Sequence, residues 1–351
     1  MASRTTFASQ KNMKKLSGIP NSITDRHENA CFAPIKGALD LLCNNQRPVF
    51  GKAGSSNNQS NGSISAAAAL YFKYVWKQFV VHHFLTATAR KLRNIVNHWQ
   101  PPPLNSADKE QADMLLKRIF DYDAFREGKT PCFQNGHFYW TKNRTGVGGY
   151  EYLAYHYNNV KYCPYCNADA IYVFRTADGR EIFSAFDHFF SRREYPFLAL
   201  SLYNLIPTCY RCNSQLKTGT NMRTIANPFI EDMHSNVFFF PVLHRIGLQS
   251  NVPCRIILCP HERCSPKAHA FVQLFELEQL YSSSFAKDAW MCIEKVRQYT
   301  PEFRRHMASV IGHKDPRLVE TLFFGMPLDE SEINKTRLGK MTLDIVERFH
   351  V

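Results

Sequence analysis

The sequence predicts an α+β protein with a strand-rich centre between mainly helical flanks, on three observations. From Ser63 to about His98 apolar residues recur every three to four positions, the spacing of an amphipathic helix, and helical periodicity returns from about Ser283 to the end. Between about 131 and 230, aromatic and β-branched residues alternate with basic ones, as in half-buried strands. Four cysteines fall in that centre as two close pairs, Cys163 with Cys166 and Cys209 with Cys212. The 27 Phe, 16 Tyr and 4 Trp among 351 residues exclude a disordered chain. The length suits one large domain or two ordinary ones.

In chain order, residues 1–63 are polar and turn-rich and end in the tract Gly51–Gly62. Such a tract cannot bury enough apolar area to offset its ordering entropy, so a flexible basic segment is expected. Residues 64–130 read as a helical scaffold or partner-binding region. Its first helix carries the stripe Leu70, Val75, Phe79, Phe84, Leu85, Leu92 and Val96 and stops at Pro101–Pro103. A second helix is expected from a Ser106 cap to about Phe120. Residues 131–230 hold the candidate chemistry. There Ile171–Arg175 and Glu181–Phe186 read as a hairpin around Thr176–Gly179, Asn204–Pro207 as a short apolar strand, and a helix begins near Cys209. In residues 231–351, strands at Val237–Val242, Arg255–Leu258 and Phe271–Phe275 give way to helices.

The formal net charge is +13. Such an excess favours a polyanionic partner, nucleic acid before an anionic membrane. The most apolar helical stretch, Ala66 to Leu85, is interrupted by Lys73, Lys77, Gln78, His82 and His83, too polar for a bilayer core. The N-terminus has basic residues but lacks the apolar run of a secretory signal; a flexible basic tail is a simpler reading than a transit peptide. A cytoplasmic location and reduced or metal-bound cysteines are therefore expected.

Cys163-Pro-Tyr-Cys166 and Cys209-Tyr-Arg-Cys212 are the strongest signal. A Cys-x-x-Cys turn points two sulfurs at one centre, and two such turns complete a tetrahedral four-thiolate site suited to structural Zn²⁺. The alternatives are a redox-active pair or ordinary buried cysteines. The separation of the pairs exceeds a small zinc ribbon, so a functional loop is expected between them. Cys254, Cys259, His261 and Cys264, with His269 nearby, are too irregularly spaced to make a second metal site the preferred reading.

The intervening loop carries Asp187-His188, then Asn204, and Asn213 follows the second pair. At a strand end, Asp187 and His188 point to opposite sides of the backbone. The Asp187 carboxylate and the Asn213 carbonyl offer hard oxygens to Mg²⁺ (or Mn²⁺), leaving His188 as a base toward water. Singly, an Asp-His pair is more often a surface accident and Asn213 a cap; the set carries the argument.

The stretch CPYC…FDHFFSRREYPFLALSLYNLIPTCYRCNSQLK, residues 163 to 217, resembles a zinc-stabilised HNH endonuclease of the ββα-metal, or His-Me finger, class. The resemblance implies His188 as general base, Asn204 as the residue orienting the loop that carries it, and Asp187 with Asn213 as ligands of a catalytic metal. It implies Cys163, Cys166, Cys209 and Cys212 as structural zinc ligands. Asn in place of His at 213 is an accepted variant, and should favour Mg²⁺ over transition metals. With Asn227-Pro228-Phe229, the stretch is similar to HNH effectors of bacterial anti-phage systems, the Septu type above all, which work beside an ATPase subunit.

Basic residues crowd this stretch: Lys161, Arg175, Arg180, Arg192, Arg193, Arg211, Lys217 and Arg223. As a group they suit contact with nucleic-acid phosphates, with Arg192, Arg193, Arg211 and above all Lys217 as candidates. The expectation is a metal-dependent endonuclease acting on nucleic acid, DNA first, as the nuclease of an antiviral defence complex. The competing readings are a non-catalytic zinc-finger module that binds nucleic acid or protein, and a stand-alone restriction or homing nuclease. The first gives no use for Asp187, His188 and Asn213, and the second lacks a familiar recognition domain.

Overall fold

The computed structural model describes residues 16, 18–53, 63–142, 153–154, 156–175, 177, 181–231, 236–243, 254–260, 265–312, 316–327 and 330–349. It is a mixed helical and stranded chain that divides into two compact units, residues 18–158 with 173–206, and residues 1–17 with 159–172 and 207–351.

The first unit opens with helix α1 (Asn21–Cys43). This corrects the expected flexible segment over residues 21–43; residues 1–15, 17 and 54–62 of that segment lie outside the described residues. His27, Cys31, Ile35, Ala38, Leu39 and Leu42 repeat at helical spacing and are buried, an apolar face masked in the sequence by the polar residues between them. Gly37 lies where any Cβ would strike the Phe133 ring, so its bareness lets α1 close on the next sheet. That sheet holds β1 (Val49–Phe50), β2 (Lys129–Gln134) and β3 (His137–Lys142), with β3 central. Asn135 and Gly136 join β2 to β3 with φ of 49° and 78°, the left-handed pair that a tight hairpin demands.

The helix expected over 63–98 is two helices, α2 (Ala66–His82) and α3 (Ala89–Asn97). His83, at φ 50°, ends the first, and the Thr88 side chain caps the second. Helix α4 (Ser106–Ile119) is capped by Asn105, whose side chain accepts the Asp108 N–H, rather than by Ser106. Asp121 caps the short α5 (Tyr122–Arg126). Phe79, Phe84, Phe120 and Phe197 form a buried aromatic core among these elements. Strand β4 (Val173–Arg175) pairs with β5 (Glu181–Phe183) as expected, although most of their turn lies outside the described residues. Phe186, expected in that hairpin, starts a separate strand, β6 (Phe186–His188), which pairs with β7 (Leu205–Pro207).

In the second unit a π-helical turn, Arg211–Leu216, follows the second cysteine pair. An antiparallel hairpin of β8 (Val237–Leu243) and β9 (Cys254–Pro260) follows. Phe271–Phe275, expected as a strand, belongs instead to helix α6 (Pro266–Leu274) and its C-cap. Pro266 at N1 and the Ser265 cap are helix-start signals that outweigh the β-propensity of Phe and Val. Helices α7 (Leu277–Ser284), α8 (Ala286–Gln298), α9 (Pro301–Ile311), α10 (Pro316–Phe324) and α11 (Gly339–Phe349) complete the unit. The buried Asp344 of α11 accepts the Phe239 N–H at 2.9 Å and pairs with the buried Lys340, tying that helix to the hairpin. No described helix is long and apolar enough to cross a membrane.

Candidate functional site

The four paired cysteines converge. Cys163, Cys166, Cys209 and Cys212 are buried, and their sulfurs all lie within 4.8 Å of one another. A tetrahedral zinc–thiolate centre places its sulfurs about 3.8 Å apart, and Cys166 and Cys209 stand at 4.0 Å. The backbone builds each turn. The Cys166 and Asn167 N–H groups both bond to the Cys163 carbonyl, Asn167 takes the left-handed conformation (φ 52°), and the Asn213 N–H returns to the Cys209 carbonyl. The turn is held in place by its surroundings. The Asn167 amide donates to the Ile333 carbonyl and its oxygen accepts the Lys340 N–H, while the Tyr281 hydroxyl donates to the Cys166 carbonyl at 2.8 Å.

The sulfurs cannot all ionise unaided. Burial opposes the Cys163 thiolate, but hydrogen bonds from Cys166, Cys209 and Cys212 prevail and draw its pKa well below the ordinary value. Hydrogen bonding to Cys163 and Cys166 raises Cys209 and Cys212 and keeps them protonated. A divalent cation would let all four deprotonate. The group could therefore hold a metal ion, and four thiolates with no further donor among them suit structural Zn²⁺. Among the described residues it is the single group of this kind.

Arg211, expected to contact nucleic acid, is half-buried beside this centre and bonds to Asp169 at 3.1 Å. Burial opposes its charge, but Cys166, Cys212 and Asp169 outweigh burial and raise its pKa. It thus sits between Asp169 and the cysteine group. Lys217, the leading phosphate candidate, is only 8% exposed. Of the irregular set at 254–264, Cys254 lies on β9, and the Cys259 side chain, His261 and Cys264 lie outside the described residues.

Asp187, His188 and Asn204 lie together in the first unit, and Asn213 belongs to the second. On β6 the alternation of a strand buries Asp187 (3% exposed) and leaves His188 half-buried on the other side. His188 Nε2 lies 3.0 Å from the Ala199 carbonyl. A carbonyl only accepts, so the proton sits on Nε2 and Nδ1 is the basic nitrogen of the neutral ring. Asn204, 0% exposed, fixes the chain after His188. Its amide donates to the Phe190 and Leu198 carbonyls, its oxygen accepts the Phe190 N–H at 2.8 Å, and its own carbonyl accepts the Phe189 N–H.

Several neighbours of His188 carry no legible signal in the sequence. Tyr122, from α5, packs against the imidazole with ring centroids 4.4 Å apart. Arg192 lies 5.2 Å from the Tyr122 ring centre and 3.4 Å from Asp123, and both Arg192 and Arg193 are exposed. His27, on α1, bonds through Nε2 to the Leu200 carbonyl at 2.8 Å, next to the carbonyl that His188 uses. Burial lowers its pKa to about 4 despite that bond. Comparisons with family models, with curated proteins and with solved structures give no match to this chain.

Proposed function

We propose that the chain is a metal-dependent endonuclease of the HNH, ββα-metal class that hydrolyses phosphodiester bonds. The observation that carries the reading is His188, held through Nε2 to the Ala199 carbonyl on a segment clamped by the buried Asn204. An imidazole fixed in one tautomer, with Nδ1 as its acceptor, is the arrangement that a general base toward water requires. A purely binding module has no use for it. His188 takes a proton from water, and the hydroxide formed attacks phosphorus in line with the departing 3′ oxygen, a step in which a base contributes on the order of 10²–10⁴-fold.

The sequence resemblance assigns Asp187 and Asn213 to Mg²⁺ or Mn²⁺, and a carboxylate and an amide carbonyl are the hard oxygens such an ion takes. Bound there, the ion would supply neutralisation of charge on the non-bridging and leaving oxygens. The four-cysteine group, loaded with zinc, would act as scaffold. DNA is the favoured substrate, and a defence complex in the cytoplasm, with an ATPase subunit as partner, is the setting that the Septu-like sequence suggests.

Purified protein incubated with supercoiled plasmid, linear DNA and RNA, in Mg²⁺ or in EDTA, tests the reading. Nicking or linearisation of plasmid that EDTA abolishes is expected. Loss of no substrate in Mg²⁺ or Mn²⁺ overturns it.

A further inference from the structure

We infer that the exposed face of α2 and α3 is a docking surface for the phosphate backbone of duplex DNA. Residues 41–107 contain no Asp or Glu, where about six would be expected at the chain's mean acid frequency, yet they carry seven Lys or Arg. Four of these basic residues, Lys73, Lys77, Arg90 and Lys91, are exposed on the two helices, and Asn94 and Asn97 are exposed beside the α3 pair. Among the described residues none of the four basic side chains forms an ion pair. Of the acids on the helices that pack against α2, Asp40 pairs with Lys36, Asp113 with Lys109, and Glu28 with His83 at the end of α2, while Asp25 and Glu110 are exposed.

Lys73 and Lys77 stand one turn apart, about 6 Å along the helix axis. At the end of α2, burial and then the Lys91 charge lower the His82 pKa. Residues 83–88 join the two helices, so the two basic pairs stand on helices adjoining in the chain. DNA carries a charge every ~1.7 Å of its axis and releases counterions to such a face without base readout.

The face is also fastened to the candidate base. Leu85, in the turn between the helices, accepts the Leu202 N–H at 2.9 Å. Phe84 and Trp99 pack on Phe197 with ring centroids 5.5 and 4.3 Å apart. Residues 197–202 belong to the segment that His188 and Asn204 hold through Ala199 and Leu198. A duplex gripped by α2 and α3 would thus be held in fixed relation to His188. This deepens the endonuclease reading and rests on it for what happens to the bound strand.

The test is binding in EDTA, which is independent of cleavage. Fluorescence anisotropy of a labelled 40-base-pair duplex is measured from 50 to 250 mM salt. The variants are Lys73→Gln/Lys77→Gln/Arg90→Gln/Lys91→Gln and a control, Lys287→Gln/Arg297→Gln/Arg305→Gln/Lys335→Gln, each checked by circular dichroism. If the first variant melts early, the two halves, Lys73→Gln/Lys77→Gln and Arg90→Gln/Lys91→Gln, replace it.

The first variant should weaken binding roughly 10- to 100-fold at 100 mM salt and lower the salt slope by about 3 to 4, while the control changes little. Equal binding by variant and wild type, an equal loss in the control, or binding of RNA but not duplex DNA overturns the inference. Plasmid cleavage in Mg²⁺ separates the two readings. Cleavage by wild type with no effect of the variant on binding sinks the surface alone, and binding without any cleavage sinks the endonuclease alone.

Discussion

Replacing Asn204 probes how the segment after His188 is held. The side chain is fully buried and uses both amide hydrogens and its oxygen, on the Phe190 and Leu198 carbonyls and the Phe190 N–H. Asn204→Ala leaves the Phe190 N–H and carbonyl without a partner in a site closed to water, while the Leu198 carbonyl keeps the Ser201 N–H at 3.1 Å. At about 1–3 kcal/mol for each of the two buried orphans, and less for the Leu198 carbonyl, the loss is about 2–5 kcal/mol. In a unit of roughly 175 residues this lowers the melting temperature by about 10 °C. Asn204→Asp keeps the acceptor for Phe190 N–H but turns a carboxylate oxygen toward two carbonyls, so at neutral pH it should lose at least as much. Calorimetric melting of both variants and wild type, in one buffer, reads the effect. A melting temperature within about 2 °C of wild type for Asn204→Ala would refute the clamp.

Two further outcomes follow from buried groups elsewhere. Protein purified without added metal should carry one zinc per chain by plasma emission spectroscopy, and Cys209→Ser should lose it and melt at least ~10 °C lower or precipitate; a soluble, zinc-free wild type of normal stability would exclude the centre. His27 is neutral in folded and unfolded chains alike above its ordinary pKa of 6.5. As pH falls below that value the unfolded state gains a proton that the folded state refuses until about pH 4. Stability should therefore decline across that window by about 3 kcal/mol, and His27→Gln should remove this part of the decline in urea unfolding at pH 7, 6 and 5. Parallel pH profiles for the two proteins would count against it.

The cysteine centre was legible because its chemistry is local: each Cys-x-x-Cys turn carries its own geometry, whatever surrounds it. Short-range rules likewise serve β4, β5, β7 and β8, where alternation or an apolar run fits the strand. Helix α1 was not legible as such, since its buried face includes His27 and two Cys or Ala positions among polar neighbours, and tertiary packing rather than composition stabilises it. Asn135-Gly136 is a hairpin signal that does stand in the sequence. Around His188, the sequence supplies the residue types but not their neighbours. Tyr122 comes from 66 positions upstream, and Ala199 acts through its carbonyl, which no side chain announces. Arg211 shows the converse limit: a basic residue in a basic stretch is half-buried and paired with Asp169, which its neighbours in sequence do not announce.

The most direct measurement is the single-turnover rate of plasmid cleavage in Mg²⁺ by wild type and by His188→Ala, matched for zinc content and melting temperature. Base catalysis by His188 predicts a fall of at least roughly 10²-fold with fold and zinc unchanged. Cleavage by His188→Ala at the wild-type rate, in protein free of contaminating nuclease, would contradict it.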